Sequence, residues 1–117
     1  MQFISPLSLF DGENSFLLEK RIALLKAIKD VGSLSKAASL VPLSYKGAWD
    51  MIDNMNNLCP IPVVEKETGG KGGGGTKLTS YGENLVKTYE VIQKEHQKFL
   101  ETLSHITDFD NGNLKLF

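Results

Sequence analysis

The chain has 117 residues, 41% of them hydrophobic and 23% charged, which suits a soluble globular domain with one appended element. Its formal net charge of −1 excludes a generally cationic nucleic-acid coat, so any DNA contact depends on where the lysines cluster. No apolar run approaches ~18 residues, the N-terminus lacks the regions of a signal peptide, and the single cysteine, Cys59, permits no internal disulfide. A cytoplasmic protein without membrane association is expected.

Residues 4–18 are predicted to form a β-hairpin. Leu7, Leu9, Phe16 and Leu18 have strand-like spacing, and Asp11-Gly12 between them is a strong turn signal. A helix over 18–31 follows, with Ile22, Leu24, Leu25 and Ile28 as its buried stripe and Gly32 as its stop. Ser33 is expected to cap a short second helix with Leu34, Ala37, Ala38 and Val41 inside. Pro42 ends it. Ser44 then caps a third helix, over 45–57, with Ala48, Ile52 and Met55 in the core, and Cys59-Pro60-Ile61-Pro62 breaks it.

Residues 63–67 read as a strand. Residues 76–79 can pair back on it across Gly69-Gly70-Lys71-Gly72-Gly73-Gly74-Gly75, which gives a hairpin with a glycine-rich tip, a wing. Ser80-Tyr81-Gly82-Glu83 has capping-box form. Beyond it Leu85, Tyr89, Ile92, His96, Phe99, Leu103 and Ile106 recur at alternating spacings of four and three, a heptad seam, with Val86 and Leu100 widening its apolar face. Such a helix is about 40 Å long, too long for this small domain to cover, and self-association is expected. The predicted class is mainly α with small β hairpins. Residues 1–79 would form a winged helix-turn-helix, residues 80–107 a long C-terminal dimerisation helix, and residues 108–117 a tail.

A tight turn between two short helices leaves the second one projecting, able to enter a major groove about 12 Å wide. Ser44, Tyr45 and Lys46 lie at its exposed start, with Trp49 and Asp50 beyond them. The plainer alternative is a three-helix core with a polar face. Lys66, Lys71 and Lys77 bracket the wing loop, whose glycines let backbone N–H groups approach phosphates. A nucleotide loop is not supported: residues 70–75 satisfy G-x-G-x-x-G as any glycine tract would, no second βα unit follows, and Gly72 after Lys71 breaks the Walker pattern. His96 and His105 fall on roughly opposite sides of one helix, and no H-E-x-x-H, C-x-x-C or G-x-S-x-G occurs. No catalytic residue, metal site or cofactor is expected, and the chain is not read as an enzyme.

Ser44-Tyr45-Lys46-Gly47-Ala48-Trp49-Asp50, together with Thr68-Gly69-Gly70-Lys71-Gly72-Gly73-Gly74-Gly75 and Leu78-Thr79-x-Tyr81-Gly82, resembles the N-terminal domain of the ModE family of molybdate-responsive transcription regulators. The resemblance runs over about residues 7–103, and Gly32-Ser33-Leu34-Ser35 resembles the family's lead-in to the helix-turn-helix. It implies a LysR-like winged helix that binds double-stranded DNA as a homodimer and controls molybdate-uptake or molybdoenzyme genes. Implied DNA contacts are Ser44, Tyr45, Lys46 and Lys71, and Ser35, Trp49 and Thr76 complete the expected set. The implied dimer seam is Leu85, Tyr89, Ile92, His96, Phe99 and Leu103.

Two departures stand out. Full-length members carry molybdate-binding domains after the long helix, whereas this sequence ends at Phe117, so response to molybdate or tungstate is expected less firmly than DNA binding. The family also usually has a glycine in the turn where this chain has Pro42, so the turn must differ locally. Two alternatives stay open: a dimeric protein-interaction module on the same scaffold, and a direct oxyanion sensor at the dimer interface or wing.

Overall fold

In chain order the elements are β1 (Leu9–Asp11), β2 (Asn14–Leu17), α1 (Glu19–Val31), α2 (Leu34–Leu40), α3 (Tyr45–Leu58), β3 (Val64–Lys66), β4 (Thr76–Leu78) and α4 (Ser80–Leu103). The computed structural model describes residues 1–67, 75–106 and 108–112. The fold is the expected one: mainly α, with two small antiparallel hairpins, β1–β2 and β3–β4, and a long final helix.

The first hairpin is shorter than predicted. It begins at Leu9, with Asp11 opposite Asn14 at the turn. Pro6 has no N–H to give a ladder, and the preceding residues bond to α4 instead. Tyr89 Oη donates to the Leu7 carbonyl at 2.9 Å, and His96 Nε2 lies 3.2 Å from the Ser5 carbonyl oxygen. Phe3 packs edge-on against Phe109, with ring centroids 5.8 Å apart, and the N-terminal ammonium lies 2.8 Å from Asp110. Residues 1–7 thus run antiparallel to α4 as an arm.

Helices α1, α2 and α3 enclose the core. Their periodic apolar positions supply it: Ile22, Leu24, Leu25 and Ile28 from α1, Leu34, Ala37 and Ala38 from α2, and Ala48, Ile52 and Met55 from α3. Gly32 ends α1 at φ 65°, a left-handed conformation in which a Cβ would be strained. Ser33 Oγ accepts the Lys36 N–H at 3.3 Å, and Ser44 Oγ accepts the Gly47 N–H at 2.9 Å, so both predicted caps form. The turn between α2 and α3 closes without a left-handed residue. Val41 stays right-handed at φ −84°, and the Leu43 N–H reaches the Ala38 carbonyl at 2.6 Å. That geometry accommodates Pro42.

The long helix departs from its prediction in three respects. Its cap is Thr79 rather than Ser80: Thr79 Oγ1 accepts the Gly82 N–H at 3.0 Å and donates to the Pro62 carbonyl at 2.6 Å. It ends at Leu103, not at 107. The N–H groups of Ser104, His105 and Ile106 all turn to carbonyls three residues back, which tightens the last turn and takes Ile106 off the helical stripe. Its rotation also splits the seam. Val86, Tyr89 and Leu100 are buried, whereas Ile92 is 51% and Phe99 59% exposed. Leu85, His96 and Leu103 are half-buried between these faces.

Candidate nucleic-acid interface

Burying Ala48, Ile52 and Met55 fixes the rotation of α3. At about 100° per residue, the opposite side then carries Lys46, Asp50 and Asp53, all exposed. Ser44, Tyr45 and Lys46 are exposed at the N-terminal end, as the sequence suggested. The Ser44 oxygen is committed to the cap, but its hydroxyl hydrogen remains available to donate. Lys46 Nζ lies 2.9 Å from Asp50 Oδ2, one helical turn on. Ser35 is exposed on α2, where its carbonyl accepts a 3.2 Å bond from Ser39 Oγ.

Trp49 is half-buried on the flank of α3 that faces the wing stem. Tyr45 meets it edge-on at 6.3 Å between ring centroids, and Lys66 of β3 holds its ammonium 4.4 Å from the Trp49 ring centroid. A cation over an indole face at an exposed site gains about 0.5–1 kcal/mol and keeps its outward hydrogens free. Tyr45, Trp49 and Lys66 therefore join α3 and the wing stem in one surface. Lys77 behaves differently. It lies 3.8 Å from Glu65 and 3.5 Å from Glu67, so carboxylates already face its charge. Lys71 lies outside the described residues.

Thr76 requires a correction. It was expected to contact DNA, but it is 7% exposed, and its N–H donates to the Gly32 carbonyl at 3.1 Å. It shares a strand face with buried Leu78, while Lys77 between them points out. A side chain so placed anchors the wing to the end of α1 and presents nothing to a duplex.

Two polar clamps that the sequence did not reveal hold α3 in place. Asn56 Oδ1 accepts the Val63 N–H at 2.8 Å, and its Nδ2 donates to the Val64 carbonyl at 3.3 Å, which ties α3 to β3. Arg21 of α1 sends one guanidinium nitrogen to the Ser15 and Phe16 carbonyls at 2.7 and 3.0 Å and to Asn54 Oδ1 at 2.7 Å. It thereby links the first hairpin to α3. Removing the donor strands two part-buried carbonyls and frees the exposed Asn54 oxygen to water. Arg21→Ala is expected to lower unfolding free energy by about 2 kcal/mol in a urea titration.

Cys59, half-buried just after α3, has its thiol pushed up by burial, an effect partly offset by a hydrogen bond with Tyr81. It therefore stays a thiol near neutral pH. Among the described residues no three His, Cys, Asp or Glu side chains gather as a metal site, and no helix is long and apolar enough to cross a membrane.

The chain is similar to several curated transcription regulators. It is 44% identical over 117 residues to the molybdenum transport protein ModE of Azotobacter vinelandii, which covers 99% of this chain and 43% of that protein. It is 51% identical over 84 residues to the transcriptional regulator ModE of Yersinia pestis, which covers 72% of this chain and 32% of the relative. The DNA-binding transcriptional dual regulator ModE of Escherichia coli is 47% identical over 85 residues, 73% of this chain and 32% of its own length. The chain thus spans less than half the length of these relatives. No family model matches it.

Proposed function

We propose that this chain, a ModE-like domain over its aligned residues, is the DNA-reading part of a transcription regulator of molybdenum-transport genes, and that it works as a homodimer. The observation that carries the proposal is the continuous exposed surface of Ser44, Tyr45 and Lys46 with Lys66 beside them on the wing stem. It matches what a duplex offers: base edges in the major groove for the start of α3, and phosphates at its rim for Lys66. Residues 1–79 read the duplex, and α4 pairs two copies so that two half-sites are read at once. The homologues are named as regulators, and an enzymatic role is not part of the proposal.

The test is selection of bound duplexes from a random-sequence pool, followed by gel shifts at low and moderate salt. The wild-type chain is expected to enrich a two-fold repeated motif. No enrichment, together with no retardation at low salt, would overturn the proposal. Tyr45→Ala is expected to weaken binding to the enriched duplex by about tenfold while affecting a random duplex less. Lys66→Ala should weaken both alike and lower the salt slope by about one. Equal losses on both duplexes for the two variants would sink that division of labour.

A further inference from the structure

A helix that enters a major groove approaches phosphates on both sides, and carboxylates on its leading face oppose that approach. The outward face of α3 nevertheless carries Asp50, 63% exposed at its side chain, directly behind Lys46, which is 86% exposed. The two are bonded at 2.9 Å, so Lys46 is bent back along the helix and the pair presents one cationic donor beside one anionic acceptor. Among the described residues Asp50 makes no other side-chain bond. As a surface ion pair one turn apart it adds little to the helix. Stability alone is therefore a weak reason for a carboxylate in that position.

We propose that Lys46 and Asp50 act together as a reader of one G·C base pair in each half-site, with Asp50 as the specificity-determining residue. The inference rests on the DNA-binding function proposed above and goes beyond it. In the major groove a G·C pair presents the guanine O6 and N7 acceptors next to the cytosine N4 amino donor. O6 and N4 are themselves hydrogen-bonded across the pair, so they stand about 2.9 Å apart. That is the separation of Lys46 Nζ and Asp50 Oδ2. Lys46 can donate to O6 or N7 while Asp50 accepts from N4, so each charge meets its complement without breaking the ion pair. An A·T pair with its purine on the same strand reverses the pattern. Adenine N6 would face the lysine as a second donor, and thymine O4 would face the carboxylate as a second acceptor. Asp50 thus does more than favour one base pair: it penalises every pair that sets a carbonyl oxygen instead of an amino group before the carboxylate.

The experiment uses the duplex enriched by the wild-type chain and its counterpart in which each invariant G·C pair in turn is exchanged for A·T with the purine kept on the same strand. For one such position the exchange is expected to cost the wild type about 5- to 100-fold in affinity. Asp50→Asn, whose amide can face either a donor or an acceptor, should shrink that loss to about threefold or less. Asp50→Ala should relax the same position and bind random duplex at least as tightly as the wild type. Its exposure leaves the fold at little risk, and thermal unfolding of both variants checks that. An enriched motif with no invariant G·C pair overturns the inference and leaves the DNA-binding proposal standing. So does an Asp50→Asn variant with the wild-type preference at every position, or a folded Asp50→Ala variant that loses all sequences equally. Failure of the wild type to enrich any motif overturns the DNA-binding proposal itself.

Discussion

Ile92→Asp combined with Phe99→Asp is expected to turn the proposed dimer into a monomer and to lower affinity for the enriched duplex by about a hundredfold or more. The two residues lie seven apart on α4, on one stripe, and are 51% and 59% exposed in the isolated chain. The described residues measure 65 × 27 × 22 Å along their principal axes, and the arm of residues 1–7 leaves Val91, Ile92 and Phe99 of α4 exposed. Fully burying an isoleucine or phenylalanine contributes about 1.5–3 kcal/mol, and a two-fold pair buries each of them twice. A carboxylate in that seam reverses the gain and adds a desolvation cost. Sedimentation equilibrium should give the mass of one chain for the variant and of two for the wild type. A variant that keeps the dimer mass would show that the seam lies elsewhere. Tyr89→Phe provides the contrast. It removes the bond to the Leu7 carbonyl inside one chain, so it should cost about 1 kcal/mol of stability and leave the oligomer as it is.

That contrast also marks how far the sequence could be read. The heptad alternation along α4 announces a long helix with one wide apolar face, but spacing alone does not say which part of it faces the helix's own domain. The structure settles it through contacts distant in sequence. The arm of residues 1–7 occupies one side, with Leu7 bonded to Tyr89 and Ser5 beside His96. The helix-turn-helix was legible because its determinants are local: a glycine stop at Gly32, serine caps at Ser33 and Ser44, and apolar residues at helical spacing. Thr76 was legible in principle. Strand parity puts it on the face of Leu78, and that face is buried. The clamps of Arg21 on Asn54 and of Asn56 on β3 were not legible, because polar residues on a helix flank give no sign of a partner 33 positions away or on another element. Lys66 was visible as a wing lysine, but its seat over Trp49 depends on the packing of β3 against α3.

Gly82→Ala is the second substitution with a large expected effect, and its sign is a contest between two terms. Within a free helix alanine is favoured over glycine by about 1 kcal/mol. Here the new Cβ would run into the Val63 carbonyl oxygen and lie 3.0 Å from the carbonyl carbon and 3.3 Å from Cα. Those atoms belong to backbone that is held from both sides. The Val63 N–H is bonded to Asn56 at 2.8 Å, and its carbonyl accepts the Thr79 N–H at 3.0 Å. Neither clamp can relax without breaking a bond, so the start of α4 must tilt away from β3. Overpacking of this kind costs about 3 kcal/mol, which exceeds the propensity gain and leaves a net loss of about 2 kcal/mol. For a domain of this size Tm should fall by roughly 5–10 °C. The same tilt moves the seam residues of α4 relative to α3, so half-site geometry should change as well. DNA binding by the folded variant should weaken by more than the loss of folded protein explains. A variant that melts at or above the wild-type temperature would mean that the propensity term wins and that Val63 yields freely. In that case the junction between wing and α4 is not rigid, and it cannot fix the spacing of two copies of α3 in the proposed dimer.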